Sequence, residues 1–198
     1  MTIITSEAQD RADMERLAAG HGPALNALME RHGERLFHYL VRVLHDESEA
    51  EDLAQESFVR VYQHRDKFNP AHKFSTWLYS IATNLARDRL RRVSRHPQVT
   101  LDGGRDSDEA SLGDVLPSPE PGPAERLVGV ERAEAVRIAV AELPEDLRTP
   151  LILAEYEDQS HAEIAAVLGC STKAVEMRIY RARQQLRARL ADLLPREA

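Results

Sequence analysis

Cysteine is almost missing from this chain of 198 residues: Cys170 stands alone, which excludes an internal disulfide and a Cys-rich metal motif and suits a reducing compartment. No apolar run approaches the ~18–20 residues of a membrane span. The opening MTIITSEAQD has neither a basic start nor a sustained apolar stretch, so no secretory signal is expected and the cytoplasm is the expected address. Signals for β-strands are nearly absent, and no internal repeat is found. There is no nucleotide-binding glycine loop, no metal-ligand spacing among the 8 His and no nucleophile elbow. We therefore expect no enzyme activity, no catalytic residue, no metal and no cofactor, with Cys170 a small packed residue in a turn.

Positive charge is scarce overall. The formal net charge is −7, and because Lys and Arg neutralising phosphates supply most non-specific nucleic-acid binding, the total argues against such a partner. Its distribution argues the other way. Residues 171–190 carry Lys173, Arg178, Arg181, Arg183, Arg187 and Arg189 against Glu176 alone, a local charge of +5. Residues 84–96 carry Arg87, Arg89, Arg91, Arg92 and Arg95 against Asp88, a local charge of +4. Between them, residues 97–126 hold seven acids against Arg105 and Arg126, and residues 97–123 hold five of the 10 Pro and four of the 9 Gly. Composition thus divides the chain into a helical domain over 1–96, an acidic Pro/Gly-rich linker over 97–125 and a second helical domain over 126–198.

Helical periodicity fills both domains. Leu25, Leu28, Met29, Leu36, Phe37, Leu40, Val41 and Leu44 recur at helical spacing after Pro23, a residue suited to a first helical position. Asp46 with Glu49, or Ser48 with Glu51, signals a helix start, and a third helix is expected from about Ser48 to His64, burying Leu53, Phe58 and Val61. Asn69 and Pro70 mark a loop. Phe74, Leu78, Ile81 and Leu85 then form one face of a fourth helix that ends in arginines. In the second domain one helix stops at Pro144, and the next contains Pro150, which predicts a late start or a kink. Ser160 and Glu163 form a capping box, Gly169 is a favourable stop, and Ser171 or Thr172 caps the last helix.

At ~100° per residue, Val175, Ile179, Ala182, Leu186 and Leu190 share a narrow sector, the expected core face of that last helix. Lys173, Met177, Tyr180, Arg181 and Gln184 lie opposite, with Arg178 and Arg187 on the shoulders. A capped helix, a glycine turn and a longer basic helix have the layout of a helix-turn-helix, whose second helix enters the DNA major groove. A solvated helix with arginines outward gives the same pattern. The first basic helix adds Trp77 and Tyr79, and arginines beside aromatics suit tracking and stacking on an unpaired strand. A core Trp with arginines complementing the helix dipole fits as well. Two basic helices on a flexible tether could grip two DNA sites with a gain in effective concentration.

Residues 48–62 (SEAEDLAQESFVRVY), 74–92 (FSTWLYSIATNLARDRLRR) and 143–187, in this order and spacing, resemble the small extracytoplasmic-function (ECF) type sigma factors of the sigma-70 family of bacterial RNA polymerase. The resemblance implies an all-α fold of two small helical domains: a sigma-2 bundle that binds core polymerase and the −10 promoter element, and a sigma-4 helix-turn-helix that reads the −35 element. It implies that Asp52, Leu53, Gln55 and Glu56 dock on a coiled coil of the largest polymerase subunit, an acidic, partly apolar face apt for a basic partner. The −10 strand would be handled by the loop from His64 to Lys73 and by Trp77, Asn84, Arg87, Asp88, Arg91 and Arg92. Ser80 and Ile81 stand where primary sigma factors carry two adjacent tryptophans, which implies weaker melting and a stricter promoter requirement.

In the second domain the resemblance implies base contacts from Lys173, Glu176, Met177, Tyr180 and Arg181, with Arg178 and Arg183 on phosphates. Many relatives carry Arg-Ser where this chain has Glu176 and Met177. Glutamate can accept from cytosine and methionine can meet a thymine methyl, so an altered −35 preference is implied. An anti-sigma partner is implied in the same way; for the acidic linker the resemblance implies a path through the polymerase cleft, while its composition alone equally suits a disordered spacer. Taken without the resemblance, the residues also suit a one-component helix-turn-helix repressor or activator, or an α-helical interaction adaptor.

Overall fold

The computed structural model describes residues 6–95 and 123–191, and among these it holds no β-strand. Four helices, α1 (Ser6–Ala18), α2 (Ala24–Leu44), α3 (Glu47–Gln63) and α4 (Phe74–Arg95), form the first bundle, with a turn of 3-10 helix at Arg65–Lys67. The second is built from α5 (Pro123–Ala141), α6 (Glu145–Glu155), α7 (His161–Leu168) and α8 (Thr172–Arg189). The fold is all-α in two helical units, as expected. The acidic linker expected over 97–125 lies outside the described residues except for 123–125, which open α5. Among the described residues no helix is long and apolar enough to cross a membrane.

Local sequence fixes most of the boundaries. Asp46 is extended, with φ −145°, and its carboxylate accepts the Glu49 amide at 2.9 Å, so of the two candidate caps for α3 it is Asp46 that serves. At α7 both halves of the capping box form: Glu163 N–H donates to Ser160 Oγ, and Ser160 N–H donates to the Glu163 carboxylate at 2.8 Å. Gly169 ends α7 at φ 64°, in the left-handed region that a Cβ disfavours, and Ser171 Oγ then accepts the Ala174 amide to start α8.

Two expectations need correction. Pro150 neither delays α6 nor ends it; the helix runs from Glu145 with Pro150 buried in its interior. The proline forfeits one bond to the Asp146 carbonyl, while Leu147, Leu151, Ile152 and Leu153 are all buried around it, and that packing outweighs one missing bond. The sequence reading also missed α1. Its buried apolar side chains are only Met14 and Leu17, too few to make a stripe, and it joins α2 largely through charge. Arg31 donates to Asp10 Oδ1 at 2.9 Å and to Asp13 Oδ2 at 2.5 Å, and His32 Nε2 meets Asp10 Oδ2 at 2.9 Å.

The long helix α2 is the spine. Leu28, Leu36, Tyr39, Leu40 and Val43 are buried against Phe58 and Val61 of α3 and Phe74, Leu78, Ala82 and Ala86 of α4. The Tyr39 hydroxyl and Thr83 Oγ1 share a buried hydrogen bond of 2.7 Å, which satisfies both polar groups away from water. In the second unit Ile152, Ile164, Val175, Ile179 and Ala182 interdigitate from α6, α7 and α8. The units also meet: α2 packs on α6 and α4 on α7, so the buried residues of both form one continuous cluster.

Replacing Ser160 by Ala removes the α7 cap and should lower stability by about 1 kcal/mol, measured as a shift in the urea midpoint with the m-value unchanged.

Candidate nucleic-acid interface

α8 is anchored by one face and open on the other. Val175, Ile179 and Ala182 are buried and Leu186 is half-buried against α6 and α7, the face expected from the periodicity. On the opposite face Lys173, Met177, Tyr180, Arg181 and Gln184 are exposed, with Tyr180 at 56%. Gln184 Nε2 donates to the Tyr180 hydroxyl at 2.7 Å, which braces the ring in an outward pose. Lys173 Nζ lies 2.9 Å from Glu176 Oε2, and this partner holds the Glu176 carboxyl below its ordinary range, so it is an ionised acceptor at neutral pH.

The two arginines expected on phosphates are placed differently. Arg183 donates twice to Glu155 Oε1, at 2.5 and 3.2 Å, and so ties α8 to the end of α6. Arg178 is half-buried, with Nη1 3.8 Å from the Cys170 sulfur. Cys170 itself packs against the core between α7 and α8, as expected of a small residue in the turn. Among the described residues no three His, Cys, Asp or Glu side chains converge as metal ligands.

The candidate residues of the first unit divide by environment. Asn84, Asp88, Arg91 and Arg92 are exposed on α4, with Arg91 3.7 Å from Asp88. Arg87 and Lys73 are instead met by acids of the second unit: Arg87 Nε lies 3.0 Å from Glu145 Oε1, and Lys73 Nζ 2.7 Å from Glu163 Oε1. Trp77 is half-buried, its ring 5.3 Å from Phe68 and 6.3 Å from Phe74, an aromatic wall beside the 64–73 loop. Tyr79 is buried with its hydroxyl donated to Glu157, so it is unavailable for stacking.

On α3, Asp52 and Gln55 are exposed, Leu53 is half-buried against the core, and Glu56 pairs with Arg60 at 2.8 Å. This outer face continues through Val59 and Tyr62, each 45% exposed, which the sequence reading passed over. The spacing 52, 55, 59, 62 was the signal available for them. Val59 and Tyr62 thus add apolar area to an otherwise acidic and polar solvent face of α3.

Known proteins align with both units. Residues 28–96 match the family model described as Sigma-70 region 2, and residues 133–186 the one described as Sigma-70, region 4. The chain is 35% identical to the RNA polymerase sigma-H factor of Pseudomonas aeruginosa, over 99% of its own length and 100% of that protein. It is 32% identical to the ECF RNA polymerase sigma factor SigW of Bacillus subtilis, over 91% of its length and 96% of that protein. Among solved structures, CnrH in complex with the cytosolic domain of CnrY superposes with a TM-score of 0.66 at 30% identity, covering 94% of this chain and 99% of that one. The sigma factor RpoE of Bartonella quintana shares the fold, with a TM-score of 0.64 at 20% identity over 85% of this chain and 98% of that one.

Burial pushes the Glu163 carboxyl up, but hydrogen bonds from Lys73 and from Ser160 outweigh it and hold the group below its ordinary value of 4.5. The stability it contributes is therefore present above that value and lost as pH falls through the depressed one. The stability difference between the wild type and Lys73→Met should be full at neutral pH, begin to shrink as pH drops below 4.5 and vanish only below the depressed value, measured by urea unfolding across a pH series.

Proposed function

This chain belongs to the ECF type of the sigma-70 family of RNA polymerase sigma factors, and from that membership we propose how its surfaces divide the work of promoter recognition. As a sigma factor it binds core polymerase and directs transcription to specific promoters, with the chemistry of RNA synthesis left to the polymerase and the cytoplasm as its place of action. The reading divides the chain as the composition does: a sigma-2 unit over 1–96, a linker over 97–125 and a sigma-4 unit over 126–198.

In this reading the α3 face of Asp52, Leu53, Gln55 and Glu56, extended by Val59 and Tyr62, takes the core enzyme. The 64–73 loop with Lys73, Trp77, Asn84, Arg87, Asp88, Arg91 and Arg92 takes the −10 strand. Opening DNA costs a few kcal/mol for each base drawn from the stack, so this surface must offer compensating contacts; the half-buried Trp77 and the loop beside it supply an aromatic wall, and exposed Asn84 supplies amide donors and an acceptor. The −35 duplex falls to the outward face of α8: Lys173, Glu176, Met177, Tyr180 and Arg181, with Arg178 on the shoulder. Arg183 belongs to the proposal only if the Glu155 bond exchanges for a phosphate. An anti-sigma partner is part of the reading, in keeping with the sigma factor RpoE of Bartonella quintana, which shares the fold and was solved in complex with the anti-sigma factor NepR.

The observation that carries this proposal is the ordered pair of region matches set on two surfaces of the right chemistry, an acidic and apolar α3 face and a cationic and aromatic α8 face. Run-off transcription with core polymerase across a fragmented genome tests it. Specific start sites are expected, whereas a one-component repressor would bind duplex operator without polymerase and start nothing.

Asp52→Lys with Glu56→Lys should weaken core association about tenfold or more, equivalent to ~1.4 kcal/mol, in a binding titration against core enzyme. Arg181→Glu should cost about 1–3 kcal/mol in promoter binding by the holoenzyme and leave core association unchanged, whereas Arg183→Ala should cost less because Glu155 already occupies its donors.

A further inference from the structure

The outward face of α8 carries two side-chain couples. Lys173 Nζ meets Glu176 Oε2 at 2.9 Å, and Gln184 Nε2 donates to the Tyr180 hydroxyl at 2.7 Å. Residues 176, 180 and 184 are successive i, i+4 neighbours, so they stand in one row along the helix. Side chains on a helix lean toward its N-terminus. Tyr180 therefore leans toward the Glu176 carboxylate, and Gln184 toward Tyr180. Among the described residues, the Tyr180 hydroxyl bonds to Gln184 and not to Glu176.

A phenol hydroxyl has one hydrogen to give and lone pairs to receive with. Because the Gln184 amide donates to its oxygen, the hydrogen of Tyr180 is left for an acceptor outside the chain. We propose that Gln184 is a positioning residue for −35 recognition: it holds Tyr180 as a hydrogen-bond donor to a base edge in the major groove, favouring guanine or thymine over cytosine at one base-pair position. Gln184 acts through Tyr180 and makes no base contact of its own. This refines the assignment of the outward α8 face to the −35 duplex, on which it rests.

The chemistry of the groove makes the direction of that bond informative. Guanine offers O6 and N7 there and thymine offers O4, whereas cytosine offers only its N4 amino donor. A donor hydroxyl facing cytosine sets hydrogen against hydrogen and leaves both groups dehydrated without a partner, the arrangement that discriminates most. The Lys173–Glu176 couple fixes the opposite direction: with Oε2 engaged by Lys173, the other carboxylate oxygen of Glu176 can only accept. α8 thus presents an acceptor and, one turn further on, a donor. Bracing also settles the ring before DNA arrives. Tyr180 is otherwise free in solvent, and an unbraced side chain must give up that freedom on binding.

Holoenzyme reconstituted with the full chain, titrated against a promoter found by run-off transcription and against every single base-pair substitution in its −35 element, tests the assignment. The readout is the ratio of affinities between base pairs, because a general loss of folding or of phosphate attraction lowers all affinities alike and cancels. Wild type should prefer guanine or thymine to cytosine at one position by about fivefold, the worth of one neutral hydrogen bond. Tyr180→Phe should abolish that preference and spare the others. Gln184→Lys still donates to the hydroxyl and should keep the preference, whereas Gln184→Glu offers only acceptors, draws the Tyr180 hydrogen to itself and should abolish or invert it. Preferences unchanged in Tyr180→Phe, a Tyr180-dependent preference for cytosine, or equal behaviour of Gln184→Lys and Gln184→Glu overturns the proposal. A wild-type holoenzyme indifferent to every −35 substitution refutes instead the −35 assignment beneath it.

Discussion

Burial of one face of α8 against α6 and α7 is the constraint on which the outward chemistry of the second unit depends. A helix with five arginines and a lysine against one glutamate over 171–190 has no reason of its own to hold a fixed orientation in water. Val175, Ile179 and Ala182 supply that reason by filling the space between the other two helices. Once they are in place, the positions of Lys173, Met177, Tyr180 and Arg181 follow from 3.6-residue geometry. The left-handed Gly169 sets the angle at which α8 leaves α7, so the outward face of α8 is aimed by the backbone of the short turn just ahead of it.

Charge is arranged in layers over this apolar frame. Some cations face solvent, such as Arg91, Arg92 and Arg181; others are already spent inside the molecule, such as Arg183 on Glu155 and Arg87 on Glu145. A count of basic residues does not distinguish the two kinds. Net charge is likewise a poor guide here, because the acids that make the chain negative include those seated on its own cations.

The all-α class, the helix-turn-helix and its two faces were legible because they rest on short-range rules: helical spacing, an Asp or Ser cap, a glycine stop. Those rules act within a few residues and leave their mark in the string. What could not be read was long-range or depended on polar joints. α1 escaped because Asp10 and Asp13 do much of the work that leucines do elsewhere, and a pair of acids has no periodic signature. Pro150 misled because its local penalty is visible in sequence while the burial that overrides it is not. The partners of Lys73, Arg87 and Tyr79 lie 90, 58 and 78 positions away along the chain, a separation over which one sequence carries no pairing information. Val59 and Tyr62 were legible in principle, but an apolar residue on a helix is assigned to the core by default.

The α1 joint differs in kind from the rest of the bundle. Greasy seams tolerate sliding, since methyl groups can exchange neighbours at small cost. The forked grip of Arg31 on two carboxylates one helical turn apart has a single register, because shifting α1 by one residue would carry Asp10 and Asp13 out of reach and leave Arg31 facing a low-dielectric gap. The turn through Gly20, at φ 91°, is therefore fixed in length as well as in shape: one extra amino acid there cannot be absorbed by slippage and must instead be looped out into solvent.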